Sequence, residues 1–308
     1  MDVPAEFARR IAESNGAAGV AWLNDLPAIL AECEESWGLS LQPPFPLSYN
    51  YVAPATRRDG ASVVLKVGMP NRELHREIEA LRVFAGRGVV QLLDADPERG
   101  LLLLERIEPG TPLAELADDE AATAAAAGVM RELWRPVPQE HSFPTVADWA
   151  QGMRRLRARY DGRTGPLPPR LVAIAEERLS ELLDSAAEPV VLHGDLHHWN
   201  ILRSQRGRWL ALDPKGVIGE PAYEVGALLR NPLPELLRSG SAKRTLARRI
   251  DQLAERLGFD RARLLGWGMA QAVLSAWWSI EDHGGGWEGA IEVAEILLEL
   301  HSTDKTVR

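Results

Sequence analysis

A chain of 308 residues with 45% hydrophobic and 26% charged side chains has the make-up of an ordinary folded protein long enough for two domains, which excludes wholesale disorder. A net charge of −9 argues against nucleic acid, whose binding depends on Lys and Arg meeting phosphates; it would draw in a cationic small molecule, although an acidic surface serves solubility first. The single Cys33 rules out an internal disulfide and a cysteine zinc site, the start MDVPAEFARRIAES lacks a signal-type apolar core, and the longest apolar run, 269–280, is too short for a bilayer, so the expectation is a cytoplasmic protein with no membrane partner.

In chain order, residues 18–37 place Trp22, Leu26, Ile29, Cys33 and Trp37 near helical spacing and stop at Gly38, which predicts a helix with Cys33 on its buried stripe. Pro43, Pro44 and Pro46 then break regularity. The runs LSYNYVAPA and ASVVLKV, on either side of Arg57-Arg58-Asp59-Gly60, read as antiparallel strands joined by a hairpin. No G-x-G-x-x-G precedes them, so 46–50 is the only candidate for a loop over phosphates. Lysine occurs only at 66, 215, 243 and 305, the other cations being arginine, so Lys66 within VVLKV stands out. An ammonium is a compact point charge that can hold phosphates if a carboxylate aims it. The helix from Asn71, with the stripe Leu74, Ile78, Leu81 and Ala85, offers Glu73, Glu77 and Glu79. Segments 89–93 and 101–106 read as two further strands across a polar turn, and ERIEPGTPL has the turn formers of a connection between domains. Asp118 or Asp119 caps an alanine-rich helix through Trp134, and helices follow over 145–160 and 168–184. The arginines at 154, 155, 157 and 159 read as a solvated face.

The stretch VVLHGDLHHWNILRSQRGRWLALDPKG, 190–216, carries the chemistry. One apolar strand delivers His193-Gly194-Asp195 into a polar turn; a second, 209–212, delivers Asp213, with Arg206-Gly207-Arg208 as the turn between segments. Asp195 precedes Asn200 by five residues and Asp213 follows, the order in which protein kinases place a catalytic Asp, a metal-binding Asn and a metal-binding Asp. Asn200 and Asp213 offer the hard oxygens that Mg²⁺ prefers, and Asp195 is left to receive the proton of an attacking hydroxyl. His193 reads as a structural residue of the turn, while His197 and His198, adjacent on a turn, point apart and suit Mg²⁺ poorly. Lys215 lies where a γ-phosphate or solvent would be.

Few residues separate Asp213 from Pro221 and the helix 222–230, so there is no long segment on which a peptide substrate would lie, and a small-molecule acceptor is favoured. Glu224 on that helix either fixes the catalytic turn or is a plain helix-face carboxylate. Segment 260–299 holds a helix with Leu264, Leu265, Trp267, Ala270, Leu274, Trp277 and Trp278, ending in Glu281-Asp282-His283-Gly284-Gly285-Gly286-Trp287-Glu288. Such carboxylates and indoles on a glycine loop either bind guanidinium and ammonium groups or form an ordinary surface.

HGDLHHWNIL followed by LDPKGVIGEPAYEVGALLRNP resembles the aminoglycoside phosphotransferases of the kinase-like superfamily, closest to the streptomycin 6-phosphotransferase and hydroxyurea phosphotransferase branch. The likeness is strong over 190–232 and looser from Trp37 to Glu299. It implies an α+β, bilobal protein-kinase-like fold: a small antiparallel-sheet lobe with a helix, 1–107, that binds nucleotide, and a larger, mainly helical lobe, 108–308, that carries catalysis and substrate. It implies ATP and Mg²⁺ as cofactors, Lys66 paired with Glu77 (Glu73 and Glu79 being substitutes), and backbone groups of Glu105 to Ile107 at the adenine edge. Glu281, Asp282 and Glu288 are the substrate-facing carboxylates it suggests. The expected reaction is phosphoryl transfer to a hydroxyl of a small molecule, an aminoglycoside such as streptomycin, with antibiotic inactivation as the outcome. A kinase for a sugar, amino alcohol, nucleoside or hydroxyurea, and a nucleotide-binding protein without catalysis, are the alternatives; self-association is left open.

Overall fold

The computed structural model describes residues 3–205 and 208–307, and the chain divides into two compact units, one ending at Glu108 and the other starting at Pro109. The first unit is a five-stranded antiparallel sheet with helices α1 (Ala5–Trp37) and α2 (Arg72–Phe84). Its strands are β1 (Leu39–Leu41), β2 (Tyr51–Arg57), β3 (Ser62–Val67), β4 (Leu92–Asp96) and β5 (Leu101–Glu105), in the order β1-β2-β3-β5-β4.

Strand alternation sorts this unit's side chains. Tyr51, Ala53 and Ala55 of β2, Val63, Leu65 and Val67 of β3, and Leu101 and Leu103 of β5 form one core with Phe7, Ile11, Trp22, Leu26, Leu30 and Cys33 of α1. Lys66, between Leu65 and Val67, therefore points to the other face. Burial raises the Cys33 thiol to about 11, so it stays a neutral core group. Helix α1 begins thirteen residues before the expected 18–37 because Phe7 and Ile11 extend its buried stripe across a break at Gly16, whose φ is 58°. The hairpin between β2 and β3 turns at Gly60, φ 87°, as the Asp-Gly signal requires. Strand β4 lies three residues beyond the expected 89–93; Asp94 and Asp96, taken from sequence for a turn, sit at the sheet edge, where polar side chains meet water.

The second unit is mainly helical. In chain order it comprises β6 (Pro109–Pro112), α3 (Asp119–Leu133), β7 (Arg135–Pro136), α4 (Val146–Arg159), α5 (Pro169–Asp184), β8 (Val190–Leu192), β9 (Ile201–Ser204), β10 (Trp209–Ala211), β11 (Val217–Gly219), α6 (Val225–Leu229), α7 (Glu235–Arg238), α8 (Ala242–Leu257), α9 (Arg261–His283) and α10 (Glu288–Val307). Asp118 caps α3 through the Glu120 and Ala121 amides, and Thr145 with Asp148 forms a capping box on α4.

Helix α9 is the hub, packed by α4, α5, α6, α8 and α10, and it is apolar nearly all round, as a central helix must be. Two small sheets, β10-β9-β6 and β11-β8-β7, hold the turns that follow β8 and β10. Of the turn expected at Arg206-Gly207-Arg208, Arg206 and Gly207 lie outside the described residues; the strands they join pair antiparallel, with Arg203 opposite Trp209. The expected solvated arginine face of α4 is partly spent on neighbours: Arg155 makes a bidentate pair with Glu281 (2.7 and 2.9 Å) and Arg157 another with Glu176 (2.9 and 2.7 Å). Among the described residues no helix is long and apolar enough to cross a membrane.

Candidate active site

In the first unit Lys66 Nζ lies 2.6 Å from Glu77 Oε1, and both side chains are buried. The pair follows from two periodicities: Lys66 is the strand position turned away from α1, and Glu77 belongs to the buried stripe of α2 beside Leu74, Ile78 and Leu81. Of the three carboxylates the sequence offered, Glu77 is the one that meets the lysine. At the end of β5, the Glu105 N–H is taken by the Gln91 carbonyl (3.0 Å) and its carboxylate by the Gln91 N–H (2.9 Å). The N–H of Glu105 is thus not available to a base; Arg106 and Ile107 beyond it are half-buried.

The second unit builds the turn that bears Asp195. Leaving β8, the chain bends at Gly194, φ 87°; a Cβ there would come 2.7 Å from Trp149 Cη2 and 3.0 Å from Val217 Cγ1, so glycine is needed for both conformation and space. Glu224, 1% exposed, clamps the bend, accepting the His193 N–H at 2.7 Å and the Gly194 N–H at 2.9 Å. His193 closes the other side: its Nδ1 accepts the Asp195 N–H at 3.2 Å, which leaves Nε2–H to donate to the Leu212 carbonyl at 2.9 Å. Burial lowers this imidazole to about 4, so it is neutral and structural, not a base. The Lys215 and Gly216 amides return to the His193 carbonyl and tie the Asp213 turn to the Asp195 turn.

Asn200 donates Nδ2–H to the Asp195 carbonyl (3.0 Å), and its own carbonyl accepts from Leu212 N–H (3.0 Å), directly before Asp213. The bond to the Asp195 carbonyl engages the amide nitrogen, so Oδ1 is the Asn200 side-chain atom of the kind that ligates a hard cation. Asp213 has φ 58°, a left-handed conformation that Asp tolerates better than most residues. One amide oxygen and one carboxylate fit a cation such as Mg²⁺, which takes one or two protein ligands and completes its shell with phosphate and water oxygens. No group of three or more His, Cys, Asp and Glu gathers as a metal cage among the described residues.

Burial pushes the Asp195 carboxyl up, but Arg230, His197 and Lys215 outweigh it and hold the carboxyl below its ordinary value. Arg230 Nη2 is 3.3 Å from Asp195 Oδ1, and His197 Nε2 is 3.7 Å from Oδ2. Arg230 was not expected from sequence; its only signal is a lone cation closing the apolar run VGALL. His197 and His198 do point apart: His197 Nδ1 accepts the Trp199 N–H at 3.2 Å, whereas His198 is 2% exposed with neither ring nitrogen partnered. Glu281 and Asp282 lie in the last turn of α9 and Glu288 opens α10. Glu281 is committed to Arg155, while Asp282 and Glu288 are exposed.

A family model described as aminoglycoside/hydroxyurea antibiotic resistance kinase matches residues 47–284, a span that runs from before Lys66 to beyond Asp282 and leaves out Glu288. The chain belongs to that family. It is 33% identical over 293 residues to a streptomycin 6-kinase of Streptomyces griseus, covering 92% of each chain. It is 34% identical over 312 residues to a hydroxyurea phosphotransferase of Kitasatospora aureofaciens, covering 97% of this chain and 86% of that one. Among solved structures, a thermostable mutant of an aminoglycoside phosphotransferase in ternary complex with ADP and hygromycin B superposes with a TM-score of 0.62 at 16% identity, over 89% of this chain and 98% of that one. A choline/ethanolamine kinase family protein from Mesorhizobium loti gives 0.66 at 15% identity, over 90% and 95%. The fold is therefore kinase-like, and as a member of the antibiotic resistance kinase family the protein is a phosphotransferase with an alcohol group as acceptor.

Proposed function

We propose that this protein transfers the γ-phosphoryl group of ATP to a hydroxyl of an aminoglycoside antibiotic, streptomycin being the first candidate. Likeness to streptomycin 6-kinases over 92% of the chain supports the acceptor class. Hydroxyurea is a second reading, favoured specifically by the relative of that activity. Nucleotide binding is assigned to the first unit, which ends at Glu108, and catalysis and substrate binding to the second, which starts at Pro109, one residue beyond the boundary expected from sequence.

The observation that carries the proposal is the doubly clamped turn bearing Asp195, with Asn200 tied to its backbone. Asp195, an ionised carboxylate at neutral pH, orients the acceptor hydroxyl and takes its proton as the bond to phosphorus forms. Asn200 Oδ1 and the Asp213 carboxylate are the groups that would hold Mg²⁺, which when bound neutralises phosphate charge. Lys66, aimed by Glu77, meets the nucleotide phosphates, and the Glu105 carbonyl with the backbone of Arg106 and Ile107 meets adenine. Catalysis rests on positioning and charge, with no covalent enzyme intermediate. Asp282 and Glu288 remain available to a cationic acceptor; Glu281 would first have to exchange Arg155 for it.

Measuring ATP consumption and phosphorylated product with streptomycin, other aminoglycosides, hydroxyurea and simple sugars tests this. Product with streptomycin supports the proposal, product with a sugar alone replaces it, and nucleotide binding without any product makes the chain a binding protein.

A further inference from the structure

One feature beside Asp195 is used by none of these roles. Gly152 of α4 faces α9 so closely that a Cβ would stand 2.6 Å from Leu274 Cδ1 and 3.1 Å from Trp277 Cδ1. That approach brings Trp149, one turn earlier on α4, against Trp278 of α9, with ring centroids 5.5 Å apart and planes at 83°. Trp149 also packs on Tyr223 (6.2 Å), which packs on Trp267 (5.2 Å), and the Trp267 N–H is held by Glu220. The row of rings runs from a fully buried end at Tyr223 and Trp267 to a half-buried end at Trp149 and Trp278.

Trp149 packs against the turn that bears Asp195, its Cη2 being the atom nearest the Gly194 Cβ position, one residue before Asp195. An edge-to-face pair leaves one ring face of each indole uncovered by the other, and its members are fixed by the buried rings behind them. A fixed indole face attracts cations through its quadrupole, most of all planar guanidinium. Local charge does not oppose this, because Arg155, one turn beyond Gly152 on α4, has its charge matched by the bidentate Glu281.

We infer that the half-buried indoles of Trp149 and Trp278 form an acceptor subsite that takes a guanidinium or ammonium group and sets its distance from Asp195. This rests on the phosphotransferase reading and names the group by which the acceptor is recognised.

The test is calorimetric titration of the full chain with streptomycin, which bears guanidinium groups, for wild type, Trp149→Leu, Trp278→Leu and Trp149→Phe. A non-hydrolysable ATP analogue serves as the control ligand. The subsite predicts streptomycin affinity weaker by about ten-fold in each leucine variant and by less in the phenylalanine variant, with nucleotide affinity unchanged. If Trp149→Leu does not fold, Trp278→Leu and Trp149→Phe decide. Leucine variants that bind streptomycin as wild type does, or a wild type that binds nucleotide but no streptomycin, overturn the inference. Wild type that binds streptomycin through the indoles yet never phosphorylates it would overturn the proposed function and leave the subsite standing.

Discussion

Replacing Glu224 by alanine removes both acceptors that hold the bend at His193 and Gly194. Each orphaned buried N–H costs about 1–3 kcal/mol, so near pH 5.5 the variant should lose about 2–6 kcal/mol of stability. That loss depends on pH in a definite direction. Burial pushes the Glu224 carboxyl from 4.5 up to about 7, against the two N–H donors, which lower it. The folded protein thus keeps a proton here that the unfolded chain releases near 4.5. Between those values the native state binds more protons, so this residue's contribution to stability falls as pH rises and levels off above about 7, a change on the order of 3 kcal/mol. Alanine cannot titrate, so its deficit should be larger at pH 5.5 than at pH 8. With the bend released, Asp195 loses its aim and turnover should drop about a hundred-fold. Urea melts at the two pH values, with turnover and nucleotide affinity at pH 8, give all the quantities. A variant that melts and turns over like wild type, or a deficit that grows with pH, would refute the reasoning.

Three further outcomes follow from the same geometry. Lys66→Met leaves a carboxylate whose side chain is 10% exposed without its lysine, and should cost about 3–5 kcal/mol and weaken ATP binding; changing Glu77 to Met as well should recover part of the stability, which a double-mutant cycle measures. Gly194→Ala puts a Cβ against Trp149 at positive φ and should cost about 2–5 kcal/mol in thermal or denaturant melts, with turnover impaired wherever the fold survives. Asp213→Asn keeps a side chain that tolerates φ 58° but removes the charge, so affinity for the Mg²⁺–nucleotide complex should fall about ten-fold or more, while nucleotide binding without the metal changes little.

What the sequence revealed and what it hid have physical reasons. Strand alternation and helix spacing are local, so the sheet of the first unit, the capped helices of the second and the grouping of Lys66 with a carboxylate of α2 were legible. The turns at Asp195 and Asp213 were legible because each follows an apolar strand, and Asn200 because it lies only five residues beyond Asp195. The positions that went unread depend on long-range packing. Arg230 reaches Asp195 from the end of α6, and Arg155 captures Glu281 from another helix, a pairing that no spacing along the chain encodes. Glu224 was left between clamp and surface because a carboxylate on a short helix looks the same in either role; only its burial against two N–H groups decides. The early start of α1 was missed because its first turns carry few apolar residues, and a single glycine break masks their continuity with the stripe beyond it.

In the proposed reaction Asp195 directs a small-molecule hydroxyl onto the γ-phosphorus of ATP. Mass spectrometry of streptomycin incubated with ATP, Mg²⁺ and either wild type or Asp195→Ala tests it most directly, with nucleotide affinity measured in parallel. Wild type should give singly phosphorylated streptomycin, and the variant a rate lower by about two to four powers of ten with nucleotide affinity retained. Equal rates from the two proteins, or ATP hydrolysis without any phosphorylated acceptor, would contradict the proposed reaction.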